Sequence, residues 1–404
     1  MRISTTMQFQ NNLSYIQKAN SKVDKAAQGY NTGLKFNTAG EDPSGMSSKI
    51  KYEAAIGAYD QYKKSASLAN DALSEEETAL SSMWTTLASI HTSVIQAVDG
   101  SNDQSSLDAI AEAIEAQRDQ LFDLMNSQNA EGEYIFSGAR SSVPCMSLTS
   151  TGHYVCQADG STRSVQVAPN VTVQTSDSGL NIFENCPLAH TLTGATNPPN
   201  KASAMISNYG NFDALYAEYY TTPGAASNTI TFEIDGPNNT FTVKDFNGKT
   251  LGSGEIDKDG LLSFNGIDIQ LNDLQYAGDM TVTFDPPQKD NILNQLNGLI
   301  DTLRDANLTP LERSNRLANY QETVANSMTQ YDLYRGRVGA RQVNIDTVLA
   351  SDESLSTIKK ESKANISEKD AFEAASDLIM AQNALQVSQQ VYTMIRRTSL
   401  FDYL

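Results

Sequence analysis

Residues 73–97 read LSEEETALSSMWTTLASIHTSVIQA, and their apolar residues recur at a seven-residue spacing. The repeat and the residues that fill its seam are Leu73, Leu80, Leu87 and Val94, with Met83, Ile90 and Ala97 between them. A seven-residue period keeps these side chains on one face of a helix, as in a coiled coil. The stretch therefore predicts a long helix, from about residue 43 to 98, that packs against other helices.

The same period returns near the other end of the chain. One stripe consists of Leu317, Val324, Tyr331, Val338 and Ile345, and a later one of Ala371, Leu378, Leu385 and Tyr392. A shorter amphipathic helix is predicted near the start, ending before Gly33, because glycine suits the residue just after a helix. We expect the two ends to pack together, and the residues predicted to form the core of this helical rod are Leu73, Leu80, Leu87, Val94, Leu317, Val324, Tyr331 and Val338.

The middle of the chain changes to a period of two, which is typical of strands. Examples are Val165 and Val167, then Ile230, Phe232 and Ile234. Dipeptides that favour hairpin turns separate several of these runs: Asp235-Gly236, Asn247-Gly248, Asp259-Gly260 and Asn265-Gly266. The triplet Tyr134–Phe136 also suits a strand, whereas residues 191–200, with two consecutive prolines, are predicted to be a loop.

The order helices, strands, helices predicts an α+β multidomain protein. Its N- and C-terminal helices form a joint coiled-coil bundle, into which a central antiparallel β domain is inserted. We predict a terminal helical domain from residues 1–42 and 350–404, a helical rod domain from 43–142 and 286–349, and a β domain from 143–285.

Composition excludes some classes of partner. The 404 residues include 48 acidic and 29 basic side chains, a net charge of -19. Nucleic acid is not expected as a partner, because affinity for phosphates comes from Lys and Arg. The same charge disfavours an anionic membrane surface. No stretch approaches the roughly 18 apolar residues that span a bilayer, and the first residues lack the apolar segment of a secretory signal.

Three cysteines, Cys145, Cys156 and Cys186, fall within one short stretch. They allow one disulfide with one free thiol, or three buried thiols that act as small hydrophobic residues, which we favour. Their spacing does not resemble a zinc site. Phosphate-binding, metalloprotease and serine-hydrolase motifs are missing from the sequence, so we expect neither an enzyme nor a bound metal or cofactor.

Two charged clusters were weighed as sites. The run Glu75–Glu77 is interpreted as a solvated helix face rather than an acidic site. The basic groups Arg335, Arg337 and Arg341, and Arg396-Arg397, are interpreted as pairing across helices with Asp and Glu, the alternative being a docking patch for an acidic partner.

The last stripe is the strongest candidate for an assembly surface. Leu378, Leu385, Tyr392 and Ile395 would leave an apolar edge on a lone helix, which is poorly stable without a partner. The partner is either the N-terminal helix of the same chain or an identical subunit alongside.

Four short motifs carry a family resemblance. They are Met1–Thr5 with Met7, the connector motifs Asn31-Thr32-Gly33 and Glu41-Asp42-Pro43, the run Tyr134-Ile135-Phe136-Ser137-Gly138, and Ala381–Gln386 followed by Ser399–Leu404. The sequence resembles the flagellin superfamily and, within it, the hook-associated protein 3 family of the bacterial flagellum. The motifs lie in the helical first third and last quarter.

The resemblance implies two nested helical domains built by both termini, an outward-facing β domain, and a structural role between hook and filament that templates flagellin polymerisation. It also implies export in unfolded form through the flagellar type III apparatus. The implied partners are further copies of this chain, the preceding hook-associated junction protein, flagellin, and a cytoplasmic export chaperone that covers the C-terminal stripe. The location would be extracellular, after a cytoplasmic stage.

Two alternatives remain. A minor flagellin that forms the filament itself would share the terminal helices, but true flagellins end in a different tail from Ser399–Leu404. An enzyme displayed on a flagellin-like scaffold is the other, and no catalytic constellation in the sequence supports it.

Overall fold

The computed structural model describes residues 5–98 and 102–401, and the side chains of residues 7–98 and 102–394. The helices are α1 (Thr5–Thr32), α2 (Pro43–Val98), α3 (Gln104–Met125), α4 (Gly179–Ile182), α5 (Tyr209–Tyr219), α6 (Ile292–Arg304), α7 (Pro310–Ser367) and α8 (Ala371–Phe401). The strands are β1 (Met146–Leu148), β2 (Tyr154–Cys156), β3 (Ser164–Ala168), β4 (Val171–Gln174), β5 (Cys186–Pro187), β6 (Leu192–Thr196), β7 (Ala202–Ile206), β8 (Thr229–Asp235), β9 (Thr240–Asp245), β10 (Thr250–Glu255), β11 (Leu261–Phe264), β12 (Ile267–Leu271), β13 (Ala277–Phe284) and β14 (Lys289–Asp290).

The chain divides into two compact units. The first consists of Met1–Ala66, Gln166–Val171 and Asp346–Leu404, and the second of Ser67–Val165 and Thr172–Ile345. The first unit contains α1 and α8, and α2 and α7 each contribute residues to both units. The three predicted domain ranges follow a different division and stay a prediction.

The helical part of the second unit buries the heptad residues as a continuous core. All eight predicted core residues are at most 1% exposed: Leu73, Leu80, Leu87, Val94, Leu317, Val324, Tyr331 and Val338. The α2–α3 hairpin forms because the Asp103 carboxylate caps α3, accepting from the Ser106 amide at 2.9 Å. Helix α6 joins α3 through polar contacts, including an ion pair of 2.7 Å between Arg304 and Glu115.

The β part of the second unit is antiparallel. A five-stranded sheet has the order β10-β9-β8-β13-β6, and a three-stranded sheet has the order β11-β12-β7. Their apolar faces share one core with α5, in which Phe212, Phe232 and Phe284 are almost completely buried. The chain enters and leaves this region through the short pair β5 and β14, in which Cys186 lies opposite Asp290.

The architecture confirms the predicted fold class, with long helices at both ends and an inserted antiparallel β region. Among the predicted turns, Asn247-Gly248 and Asn265-Gly266 connect paired strands, and both glycines have positive φ. At Asp235-Gly236 the left-handed residue is instead Asn239, which follows a short 3-10 turn.

The prediction of a loop at residues 191–200 is wrong, because β6 lies in this segment and pairs with β13 over five residues, from Leu192↔Phe284 to Thr196↔Met280. The sequence does not predict this strand because it lacks alternating apolar residues. It is an edge strand whose three exposed residues include a glycine. The prolines follow the end of the strand, where they remove no ladder hydrogen bond.

Other local predictions are also corrected. Tyr134–Phe136 is a turn in which only Tyr134 makes a bridge, to Gln128. The aromatic residues are there for packing, since Phe136 is fully buried 5.2 Å from the ring of Phe183. The helix that carries the stripe from Leu317 to Ile345 continues beyond it to Ser367.

Candidate assembly surface

Two chain connectors meet in the first unit and set the direction of its terminal helices. Helix α1 ends at Gly33, whose φ is +67°. The Lys35 amide donates to the Ser367 carbonyl at 2.8 Å, and the Lys369 amide donates to the Gly33 carbonyl at 2.8 Å. The chain therefore leaves α1 where it enters α8, and the two helices run antiparallel from a shared corner.

The predicted C-terminal stripe faces α1. The Tyr392 ring packs against the Phe9 ring with centroids 5.2 Å apart and an interplanar angle of 70°. Leu378 and Leu385 lie at seven-residue steps from Tyr392, and all three are half-buried. The side chain of Ile395 lies outside the described residues. Of the two partners weighed for this stripe, the N-terminal helix of the same chain is the one that the structure places against it.

The opposite face of α8 is apolar and exposed. We call it the outer face of α8, and its members are Phe372, Ile379, Met380, Val387, Val391 and Met394. At about 100° of rotation per residue they occupy an arc of about 120°, centred about 180° from the stripe that faces α1. Phe372 is 86% exposed, Met394 64% and Val387 56%. A helix with two apolar faces buries both only when it has more than one partner.

Helix α1 also presents apolar residues to solvent. Met7, Leu13, Tyr15 and Tyr30 are exposed, whereas Phe9, Ile16 and Val23 are half-buried on the side toward α8. The amphipathic helix predicted near the start is present, and the structure leaves Leu13 and Tyr30 on it exposed. The first unit thus carries exposed apolar side chains on both terminal helices, which is the character of an interaction surface.

The outer face does not coincide with the leucine heptad, so the leucine spacing alone does not predict it. A signal was present: Phe372 and Ile379 are seven residues apart, as are Met380 and Val387, and Val387 and Met394. These form a second heptad stripe, offset from the first. The predicted assembly residues Leu378, Leu385 and Tyr392 are instead partly covered within the chain.

A buried acidic cluster in the second unit corrects the interpretation of Glu75–Glu77. Glu76 is only 2% exposed, and burial, with the charge of Asp177 added, raises its pKa to about 8. It sits three residues after Leu73 and seven before Met83, at a seam position of the heptad. The Asp177 amide donates to Glu76 Oε1 at 3.1 Å. Only Glu75 of the run is fully on the exposed side.

Two of the basic side chains singled out in the sequence pair with aspartates. The Arg341 guanidinium donates to both carboxylate oxygens of Asp177, at 2.7 and 3.0 Å, which is the bidentate pairing that arginine favours. Arg335 contacts Asp332 at 3.4 Å on the same helix. The side chains of Arg396 and Arg397 lie outside the described residues.

The described residues offer no constellation for chemistry at a metal centre. No group of three or more His, Cys, Asp or Glu side chains in this part of the chain is placed to hold a metal ion. None of the described helices is long and apolar enough to cross a membrane. The candidate functional surface is the group of exposed apolar side chains on α1 and α8.

Comparison with known proteins finds similarity to flagellar proteins. Residues 3–141 match the family model of the bacterial flagellin N-terminal helical region. The chain is 27% identical over 187 residues to flagellar hook-associated protein 3 of Salmonella typhimurium, covering 46% of this chain and 57% of the relative. It is 26% identical over 221 residues to the protein of that name from Escherichia coli, covering 55% of this chain and 67% of the relative.

The solved structures show the same fold. The crystal structure of flagellar hook-associated protein 3 from Legionella pneumophila has a TM-score of 0.60 at 18% identity, and the match covers 78% of this chain and 98% of that one. The match to the Salmonella protein spans just over half of that relative, 57% of its length. Residues 3–141 are thus similar to the flagellin N-terminal helical region, and the chain resembles the flagellar hook-associated proteins 3.

Proposed function

We propose that this protein is a structural subunit of the bacterial flagellum that joins the hook region to the filament. The observation that carries the proposal is the outer face of α8, which lies opposite the stripe that packs on α1. Six large apolar side chains on one helix face are covered most economically by identical helices of neighbouring subunits. The hook-associated proteins 3 among the relatives support the junction as the place of assembly.

In this proposal the protein works as an adaptor and not as an enzyme. Neighbouring copies pack through α1 and α8, the preceding hook-associated junction protein binds on one side, and flagellin polymerises on the other. The β region is inserted through β5 and β14 and needs no share in these helix contacts. The α1 and α8 helices at the exposed end of the assembly then act as a template for flagellin, whose own terminal helices would pack in the same way.

Export is the second part of the proposal. The chain passes unfolded through the flagellar type III apparatus, and a cytoplasmic chaperone holds α8 beforehand. Before export neither α1 nor a neighbouring subunit covers the apolar residues of the α8 segment. Exposed in this way, the segment would aggregate. The chaperone is expected to bind the stripe of Leu378, Leu385, Tyr392 and Ile395.

A minor flagellin is the second candidate, because residues 3–141 match the flagellin N-terminal helical region, but the curated relatives are hook-associated proteins 3 and do not favour it. Immunogold labelling of intact flagella with antibody to residues 143–285 separates the two. A single band at the hook boundary is expected for the junction subunit. Labelling along the whole filament, or a copy number in purified flagella equal to that of flagellin, would instead identify a filament protein.

A further inference from the structure

Two of the three cysteines are neighbours in the fold. Cys145 immediately precedes β1 and Cys156 ends β2, the antiparallel partner of β1. Their Sγ atoms are 3.8 Å apart. A disulfide needs about 2.05 Å between the sulfurs, so they must approach by roughly 1.8 Å, a distance that rotation of the two side chains covers.

The backbone already holds the pair at a suitable separation. Cys156 lies opposite Met146 in the ladder, and the Gln157 amide donates to the Cys145 carbonyl at 2.7 Å. Residues that are one step away from direct opposition in an antiparallel pair have Cα atoms about 6 Å apart, within the usual range for a disulfide. Because Cys145 lies outside β1, its side chain does not follow the alternation of the ladder, and its Sγ atom converges on that of Cys156.

The two thiols have different environments. Cys156 is half-buried and Cys145 is fully buried. The hydrogen bond between the two thiols lowers the pKa of Cys156, although burial and the nearby Glu184 carboxylate oppose this shift. The same hydrogen bond, together with burial, raises the pKa of Cys145. Cys156 is thus the more accessible sulfur and the better nucleophile.

Cys186 has a different setting. It is fully buried and its thiol donates to the Ile182 carbonyl at 3.3 Å. Burial raises the pKa of Cys186 to about 12, so it remains a thiol at physiological pH. Burial also shields it from small oxidants.

We propose that Cys145 and Cys156 form a disulfide when the folded chain meets a low-molecular-weight disulfide, while Cys186 stays reduced. The Cys156 thiolate attacks one sulfur of oxidised glutathione and displaces one glutathione thiolate, leaving a mixed disulfide on Cys156. The Cys145 thiol then attacks the Cys156 sulfur and displaces the second glutathione thiolate, which takes up the proton that Cys145 gives up. Two protein thiols are oxidised and one glutathione disulfide is reduced.

The disulfide would crosslink the β1–β2 hairpin, which already contacts the helical core. The Tyr154 amide donates to Asn294 Oδ1 of α6 at 2.8 Å, and Asn294 Nδ2 donates to the Tyr154 carbonyl at 3.0 Å. The residues joined are 11 apart in sequence, and closing a loop of this length restricts the unfolded chain. We expect the unfolding midpoint of the second unit to rise by about 3–8 °C.

The test treats the purified full-length chain with oxidised glutathione, then unfolds it and alkylates the free thiols before mass spectrometry. The expected product has one alkylated cysteine, Cys186, and a crosslinked peptide containing Cys145 and Cys156 that disappears after reduction. Three alkylated cysteines, or a crosslink that includes Cys186, would overturn the proposal.

Serine variants test the order of the steps. Cys145→Ser is expected to accumulate one glutathione on Cys156, because the resolving thiol is gone. Cys156→Ser is expected to react at least tenfold more slowly, and Cys186→Ser to form the same crosslink as the unaltered chain. Equal glutathione uptake by Cys145→Ser and Cys156→Ser would contradict the assignment of Cys156 as the nucleophile.

Discussion

The Tyr392 ring packs edge-on against the Phe9 ring, with centroids 5.2 Å apart, and so joins the last helix of the chain to the first. Residues 383 positions apart in sequence are brought together because the Gly33–Lys35 and Ser367–Lys369 connectors are hydrogen-bonded to each other. The pairing covers one apolar face of α8 and leaves the outer face exposed. This division of the helix into an inner and an outer face leads to separate predictions for each.

Leu385→Asp should separate α8 from α1. A charge placed on the half-buried stripe loses apolar contact and must be desolvated, which we expect to cost about 1–3 kcal/mol of helix pairing. Hydrogen exchange should show faster exchange across α1, with the second unit unchanged. Gln390→Asp, on an exposed position of the same helix, is the control. Unchanged protection of α1 in Leu385→Asp would show that the stripe does not hold the two helices together.

Gly194→Val should destabilise the five-stranded sheet. A Cβ at Gly194 would lie 2.4 Å from Met280 Cε and 2.9 Å from Ala204 Cβ, so the neighbouring strands must shift. We expect a loss of about 1–3 kcal/mol in the free energy of unfolding, measured by urea denaturation. Ala195→Val, at an exposed position of the same strand, should change it by less than about 0.5 kcal/mol. Equal effects of the two variants would argue against β6 as a packed strand.

Glu76 should make the stability of the second unit depend on pH. Its pKa is raised from 4.5 to about 8, so between these values the folded chain binds more protons than the unfolded chain. The contribution of Glu76 to the free energy of unfolding should therefore be fully present below pH 4.5 and be lost as pH rises through 8. The groups that surround this carboxyl are Asp177, whose charge raises the pKa, and Arg341, whose charge lowers it.

Urea denaturation at pH 5, 6.5 and 8 measures this dependence. Glu76→Gln should flatten the decrease, because the amide keeps the shape of the protonated acid and does not ionise. Glu75→Gln, one residue away on the exposed side, should keep it. A decrease of the same size in Glu76→Gln would assign the pH dependence to another group.

Periodicity in the sequence predicted those parts of the fold in which apolar residues recur at a constant spacing. The heptads from Leu73 to Val94 and from Leu317 to Val338 predicted buried seams because each apolar side chain returns to the same helix face. Glu76 occupies such a seam position, but a charged residue does not predict burial there, and the Asp177 amide that donates to it is 101 positions away. Strand β6 is held by its pairing with β13, and the Thr, Gly and Ala residues of β6 do not predict that pairing.

The candidate assembly surface was predicted only in part. Its location on the last helix came from the stripe of Leu378, Leu385 and Tyr392, but the structure turns this stripe toward α1. Which of two apolar faces stays exposed depends on how α1 docks, and that is a property of the tertiary fold. The sequence pattern of α8 alone therefore does not predict which of its two apolar faces is buried and which is exposed.

The most direct test of the proposed assembly role is a comparison of Val387→Asp with Gln386→Asp in cells that lack the unaltered protein, scoring hooks that carry filaments by electron microscopy. Both positions are exposed, so each variant should fold with its stability changed by less than about 0.5 kcal/mol and be exported normally. Only Val387 lies on the outer face of α8. We expect Val387→Asp to leave hooks without filaments and Gln386→Asp to support filaments at the unaltered level. Normal filaments on hooks that contain Val387→Asp would contradict the claim that this face joins neighbouring subunits.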